Sequence, residues 1–594
     1  MSETSASPRQ IYAERLAGRT SLLAAFDRRG ARIGILRLFV FLSAAAILWF
    51  THWYWIFVPL AAFVILVASQ ARAERAAECA RRAMRFYERG IDRLENRWHD
   101  AKTESGARFL DPHHPYAGDL DLFGHASLFQ LLSTARTGGG EKRLASWLTA
   151  PATVAQLHAR HEAIDELRPL LDLREQLVIL GDDAAGTVNP DHLAGWAIQP
   201  ARIFPVWMRI LAFALSALAL AALGWCLATD LADPDARLAL IAIGFLEAVL
   251  AVPLRNRILA IAGEAEEPAH DLNLLSQILA VLESQEFHSP LLASVRKAIS
   301  IDGRPASARI AQLRKLIDML DSRENPIVRA IGPVILWTTQ VAMAIEAWRA
   351  ENGPYVSAWI DAVSEIEALS SLAGYAWEHP ADPFPEFAGD GPVFEGLQMG
   401  HPLLPDERCV RNSVSLMPPL RLLIVSGSNM SGKSTLLRTI GVNTVLALAG
   451  APVRAKRLVL SPLSLGASIQ TTDSLEEGQS RFMAEILRLK QILELPRPAL
   501  FLLDELLGGT NSHDRALGSE GLIRALLDRG AIGLVTTHDL SLARVADELA
   551  PAAANVHFED RLEDGRLIFD YTMRPGVVTR SNALDLMRAV GLEV

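Results

Sequence analysis

Gly427-Ser428-Asn429-Met430-Ser431-Gly432-Lys433-Ser434-Thr435 is the stretch on which this chain turns. It follows a mostly apolar run, Leu420 to Val425, that reads as a buried strand. It precedes Leu436 to Ala449, which reads as a helix. A strand, a glycine-rich loop closed by Lys-Ser, and a helix together form the setting of a phosphate-cradling P-loop. Glycines let backbone N–H groups turn inward onto phosphate oxygens, and the helix N-terminus adds the favourable end of its dipole. In that arrangement Lys433 reaches the β- and γ-phosphates of ATP, and the Ser434 hydroxyl takes a place on Mg²⁺. A glycine-rich turn without a ligand is the plain alternative.

A second motif argues against that alternative. Ala499-Leu500-Phe501-Leu502-Leu503-Asp504-Glu505 is an apolar strand ending in two carboxylates. An unpaired buried charge is costly, so packing alone does not end a buried strand in paired acids. Asp504 is placed to hold Mg²⁺, directly or through water, and Glu505 to polarise the water that attacks the γ-phosphate. Ala531 to Thr537 is another apolar strand, running into Thr537-His538-Asp539. His538 stands at the C-terminal end of that strand, on the ligand face of a parallel sheet. There it can contact the γ-phosphate or orient the water. Taken alone, it reads equally well as a structural polar residue.

The words around these motifs resemble the MutS family, DNA mismatch-recognition ATPases with an ABC-type nucleotide-binding domain. Ser426 to Thr435, SGSNMSGKST, is similar to the MutS P-loop, with Ser428 where the family usually has proline. That departure changes loop stiffness and removes no donor. Asp473 to Glu485, DSLEEGQSRFMAE, resembles the family's signature segment, which implies that Ser480 reaches the γ-phosphate held by a partner subunit. Asp504 to Asp514, DELLGGTNSHD, resembles the Walker B and D-loop run, and Thr537-His538-Asp539-Leu540 the switch histidine segment. His401-Pro402-Leu403 resembles the motif that opens the domain, and Phe569 to Gly591 the segment that closes it. The resemblance covers roughly residues 391 to 594. It implies ATP sandwiched in a homodimer formed through the ATPase domains, with DNA as a partner and a role in mismatch repair or damage sensing.

The totals bound the rest. A chain of 594 residues allows several domains. Half of it is hydrophobic and its formal net charge is −10, so it is not a globally basic nucleic-acid binder, although a local patch remains open. Cys79, Cys226 and Cys409 lie far apart without paired spacing, which gives no disulfide framework and no zinc site. His113, His114, His125, His158 and His161 are scattered, and the expectation for them is a solvated or capping role.

Two apolar regions set the membrane expectation. Ile33 to Ala68 is long enough for two short spans around the aromatic turn Thr51-His52-Trp53-Tyr54-Trp55. Arg28, Arg29 and Arg32 precede it and Arg72 and Arg75 follow it, which favours a hairpin with both ends cytoplasmic. A single long tilted helix is the rival. Residues 1 to 32 lack a signal-peptide pattern and read as a surface helix, with an interfacial helix as the sharper alternative. Val206 to Ala228 and Leu238 to Leu254 form a second apolar pair around the acidic turn Asp230 to Asp235, with Arg255 and Arg257 beyond. They read as a second transmembrane hairpin; a buried helical hairpin is the rival. Glu247 inside the second run is expensive in lipid and is expected to face another helix.

Between these regions the pattern is helical. Ala71 to Ala107 is charged and proline-free and reads as a helix leaving the membrane. It contains Phe86-Tyr87-Glu88, similar to the Phe-x-Glu element that MutS proteins insert at a mismatch, but no mismatch-reading domain surrounds it. Glu141 to Leu148 and Val154 to Leu180 continue as amphipathic helix, and Leu272 to Leu282 and Ser307 to Leu320 belong to later ones. Glu365 to Ala376 resembles the MutS helix that leads into the ATPase domain. Little sequence is left that could form the DNA-encircling clamp of MutS.

The expected fold is therefore multidomain: an α-helical MutS-like core with two transmembrane helical hairpins and a C-terminal α/β P-loop NTPase of ABC type. The expected order is a cytoplasmic segment at 1–32, hairpin one at 33–70, a connector at 71–110, the first part of the core at 111–200, hairpin two at 201–257, the second part of the core at 258–390 and the ATPase at 391–594. A multi-pass protein of a bacterial-type inner membrane, with its ATPase facing the cytoplasm, follows from the flanking charges. Its function is ATP hydrolysis coupled to DNA. The alternatives are a MutS-derived membrane ATPase acting on a protein or a non-mismatch DNA structure, and a transport-associated ATPase.

Overall fold

The computed structural model describes residues 6–50, 53–100, 103–181, 190–202, 204–229, 232–266, 269–301, 303–389, 391–428, 430–469, 481–508, 511–538, 540–563 and 566–578. The chain divides into two compact units that interleave along the sequence. One comprises Met1–Thr134, Lys142–Leu171 and Leu369–Val594, the other Ala135–Glu141 and Asp172–Ala368.

The first unit is built on a six-stranded sheet. Its strands are β1 (Leu422–Ser426), β2 (Ser464–Ser468), β3 (Ala499–Asp504), β4 (Ile532–Thr537), β5 (Ala553–Glu563) and β6 (Arg566–Pro575), and they lie side by side in the order β6-β5-β1-β4-β3-β2. All neighbours are parallel except the β5–β6 edge pair. β1 and β4 are buried at every position because helices cover both faces of a parallel sheet, and this is why they read as unbroken apolar runs. The registers Ser426 to Thr537 and Asp504 to Thr536 bring the C-terminal ends of β1, β3 and β4 to one edge. A four-stranded sheet, in the order Glu386–Phe387, Arg457–Leu460, Phe394–Met399 and Asn412–Leu416, completes the C-terminal part.

The same unit holds the N-terminal helices Pro8–Phe50 and Phe57–Leu94, joined through the short turn Trp53–Ile56. They pack against each other as a hairpin, which excludes the single long helix. Arg37 stacks over Phe63 at 5.4 Å and donates to Gln70 Oε1, and Arg81 pairs with Asp27 at 3.3 Å. The first helix runs unbroken from the polar segment into the apolar one. The second stops at Leu94 instead of continuing to Ala107, because Asn96 adopts a left-handed backbone with φ 55°, which ends a helix.

Tyr12 fastens this hairpin to the last turn of the helix that ends at Glu378. Its hydroxyl donates to Glu378 Oε1 at 2.9 Å, and Arg93 Nε donates to Glu378 Oε2 at 2.9 Å. The Tyr12 ring lies 4.6 Å from that of Trp377, and a Cβ on Gly90 would fall 2.4 Å from it, so glycine is required there. Phe86 and Tyr87 are buried against Tyr12, at 6.2 and 5.8 Å between ring centroids. The Phe86-Tyr87-Glu88 tripeptide is core packing.

The expected continuous helix from Val154 to Leu180 is two helices, Val154–Leu167 and Leu171–Gly181; Arg168 still has helical backbone angles, and the break comes at Pro169, which has no N–H to continue the helical hydrogen bonding.

In the second unit Val206–Ala228 and Pro234–Glu266 form a helical hairpin. At its base Arg202 pairs with Glu264 at 2.7 Å and Arg349 with Glu346 at 2.7 Å, the latter pair almost wholly buried. Gln340 donates to the Ser216 hydroxyl at 2.9 Å. Helices Ala269–Glu283 and Ala306–Asp321 pack antiparallel, with Ser307 N–H on Glu283 and Arg314 on Asn273. Glu367 accepts the backbone N–H groups of Arg136 and Thr137, and burial pushes its carboxyl up to about 7 against these bonds.

Among the described residues four helices are long and apolar enough to cross a membrane: Pro8–Ile47, Phe57–Leu94, Val206–Ala228 and Pro234–Glu264. Their apolar side chains stand outside: Phe39 is 65% exposed, Ile65 68%, Phe213 69% and Ile241 69%. A hairpin buried in its own helical core would have covered them. Glu247 is buried, facing inward among these exposed neighbours.

Candidate functional site

The site is assembled where β1, β3 and β4 end. After Ser426 the chain turns through the glycine loop and enters the helix Lys433–Ala449. Gly432 has φ 103°, and a Cβ there would press on the Tyr571 ring at 3.1 Å; a Cβ on Gly427 would meet Ser431 Oγ at 2.8 Å. Both glycines are therefore required by a positive φ and a close approach.

Lys433 is buried, and its ammonium donates to the carbonyls of Gly427 and Ser428, each at 2.9 Å. Burial lowers its pKa, and the charges of Glu505 and Asp504 work against that shift. The Ser434 hydroxyl donates to Asp504 Oδ2 at 2.5 Å. Thr536 on β4 donates its hydroxyl to Asp504 Oδ1 and accepts the Glu505 N–H at 3.2 Å, so one threonine positions both acids. Glu505 lies just beyond β3 with φ 48°, and its Oε1 is 3.0 Å from His538 Nδ1. Both side chains are nearly half exposed, open to incoming water.

These residues line a cavity of about 1010 Å³. Its wall includes Lys433, Ser434, Thr435, Asp504 and Glu505, and also Met399, His401, Leu404, Phe558 and Tyr571. That volume suits a nucleotide. His401 is buried in its wall and accepts the Leu403 N–H at 3.2 Å; burial, with Arg438 and Arg454 nearby, pushes it down to about 4. A smaller cavity of about 340 Å³ lies beyond Glu505, lined by Glu485, Arg515, Thr537, His538 and Ser541.

The fit to a triphosphate is carried by the loop itself. Among the described residues the buried hydroxyls of Ser428 and Ser431 have no hydrogen-bond partner, and the buried ammonium of Lys433 donates to two carbonyl oxygens. A group rich in acceptor oxygens answers all three. Ser434 and Asp504 offer a hydroxyl and a carboxylate, the hard oxygen donors that Mg²⁺ takes. Among the described residues no cluster of three His, Cys, Asp or Glu side chains forms a further metal centre.

The structure thus brings together Gly427, Ser428, Met430, Ser431, Gly432, Lys433, Ser434, Thr435, Asp504, Glu505 and His538. Asn429 and Ser480 lie outside the described residues. Thr536, Glu485 and the aromatic wall of Phe558 and Tyr571 were missed from sequence. Thr536, a hydroxyl inside an apolar strand, was a visible signal; the others were not. The scattered histidines mostly do as expected, except His161, which stacks on Phe384 at 4.4 Å and is pushed down to about 4 by burial.

Residues 423–593 match the family model for MutS domain V. The endonuclease MutS2 of Thermus thermophilus is 36% identical over 211 residues, covering 34% of this chain and 27% of that protein. The DNA mismatch repair protein MutS 2 of Halobacterium salinarum is 32% identical over 278 residues, covering 46% of this chain and 32% of that protein. The chain thus spans about three tenths of the length of these curated relatives. The similarity supports membership of the MutS family over the part that it covers.

Proposed function

We propose that this chain is a membrane-anchored, MutS-like ATPase. The single observation that carries the proposal is the meeting of Lys433, Ser434, Asp504, Glu505 and His538 at one sheet edge beside a nucleotide-sized cavity. The loop amides and Lys433 hold the phosphates of ATP. Ser434 and Asp504 hold Mg²⁺, which when bound offsets the charge of the triphosphate. Glu505 takes a proton from water as its oxygen bonds to the γ-phosphorus and the bond to the ADP oxygen breaks; His538 orients Glu505. Catalysis here consists of positioning and charge stabilisation. Ser480 acts on the nucleotide of a second copy, so the active form is a homodimer through the ATPase domains.

The four apolar helices are two transmembrane hairpins. Their exposed side chains and basic flanks support a multi-pass protein of a bacterial-type plasma membrane with the ATPase in the cytoplasm. The partner is DNA, in a repair or damage-sensing role, as the names of the similar proteins suggest. The net charge of −10 favours a second reading, action on a protein or on a non-mismatch DNA structure.

The experiment is steady-state hydrolysis by the purified protein with no DNA and with duplex, mismatched or branched DNA. The wild type is expected to turn over ATP. Glu505→Gln is expected to bind ATP and lose turnover by about 10²–10⁴-fold; unchanged turnover removes Glu505 from its role. DNA binding is expected to depend on nucleotide and to weaken steeply with salt. Binding that ignores both leaves the second reading.

A further inference from the structure

The turn that carries Glu505 is strained, and two neighbours fix it. Glu505 and Leu507 both adopt left-handed backbone, at φ 48° and 54°. Residues with side chains hold that conformation only where their surroundings over-determine it. Thr536 supplies one restraint through the Glu505 N–H. Glu485 supplies the other: its Oε1 accepts the Leu507 N–H at 2.6 Å.

Glu485 is an odd choice for a purely structural acceptor. It is 5% exposed and sits in the second turn of the helix Arg481–Leu493. Burying a carboxyl group is costly. It lines the smaller cavity together with Glu505 and His538, behind the exposed face of the acid–imidazole pair. Its carboxyl oxygen grips the turn two residues from Glu505.

Resting on the ATPase reading, we infer that Glu485 is a positioning residue for hydrolysis. It lines the smaller cavity and not the nucleotide-sized one. Through Leu507 it sets the direction in which Glu505 presents its carboxylate to water. Its helix starts at Arg481, directly after the segment that carries Ser480. Any shift of that helix moves the acceptor and, with it, the turn. Glu485 therefore ties the rate at one nucleotide site to the placement of the helix that follows the signature segment.

The test is kcat, KM and nucleotide affinity for Glu485→Ala and Glu485→Gln beside the wild type. Glu485→Ala is expected to lower kcat by about tenfold to a hundredfold, the scale of a misplaced catalytic group. Affinity for a fluorescent ATP analogue stays within about twofold, since Lys433 and Ser434 are untouched. Glu485→Gln keeps an acceptor oxygen and recovers most of the loss. If Ala lowers the melting temperature, Glu485→Met takes its place, filling the space without an acceptor. A wild-type kcat in the Ala or Met variant overturns the inference, and so does a Gln variant as slow as Ala. A wild type that hydrolyses no ATP overturns the ATPase reading and this inference with it.

Discussion

Strand β1 and the helix Val206–Ala228 are both strongly apolar and meet opposite fates. Leu422, Ile424 and Val425 are wholly buried, whereas Val206, Ile210 and Phe213 are each more than three-fifths exposed. The strand is covered on both faces by helices of its own chain and ends in polar residues at the sheet edge. The helix keeps its polar neighbours, Arg202 and Glu264, at its base, buries Ala212, Leu215, Ala219 and Ala222 on one face, and leaves the other face without protein cover. Apolar content therefore does not say what will solvate a segment. Length does: a strand of five residues must find its cover within the fold, while an apolar helix of 23 is long enough to find it in lipid.

That contrast can be broken first at the sheet edge. Lys433→Ala removes the buried ammonium and is expected to weaken ATP binding by about a hundredfold or more, the scale of losing one partner of a desolvated charge contact. Titration with a fluorescent analogue measures it, and near-wild-type affinity would mean that the cavity does not hold a triphosphate.

A matched pair of substitutions sharpens the contrast next. Ile424→Lys puts a charge inside the sheet and is expected to abolish folding in any medium, since its cost of several kcal/mol is comparable with total stability. Phe213→Lys is expected to be tolerated in detergent and to cost about 3 kcal/mol in a bilayer. Yield after membrane extraction, against melting in micelles, separates them. Equal damage in both media would mean that Phe213 is covered by protein.

The ion pair behind Tyr12 comes third. Burial pushes the Glu378 carboxyl up, and the Arg93 guanidinium more than offsets this and holds it below its ordinary value. Arg93→Ala strands that carboxylate and is expected to cost about 3–5 kcal/mol, read as a lowered midpoint of unfolding. Glu378→Gln together with Arg93→Met is expected to cost much less.

The smallest effect is a pH dependence. His401 is pushed down to about 4 in the fold, so between about 6.5 and 4 the unfolded chain binds a proton that the folded chain refuses. Stability is complete above about 6.5 and falls as pH drops toward 4, by at most about 3 kcal/mol. His401→Asn, which keeps an acceptor for Leu403, is expected to flatten that slope in melts between pH 7.5 and 4.5. An unchanged slope assigns the acid sensitivity to other groups.

How much of this could be read beforehand depended on distance along the chain. Asp504, Glu505 and His538 were legible because they end or follow apolar strands, and Lys433 and Ser434 because they close the glycine loop after one; parallel strands deliver their ends to one edge. Glu485 was not, because a glutamate on a helix is commonplace; Thr536 stood out only as a hydroxyl inside an apolar strand, and the turn that both grip gives them meaning. The stop at Leu94 hinged on the backbone of Asn96, which composition does not encode. The Tyr12–Arg93–Glu378 contact was out of reach, because its partners are 366 and 285 positions apart.

That separation also orders events on the ribosome. Tyr12 and Arg93 emerge long before Glu378 exists, so the first hairpin must form with the keystone of its docking surface still untranslated. Nascent chains shorter than 378 residues are therefore expected to be fragile substrates for quality control, and seating of the hairpin becomes a late checkpoint in biogenesis.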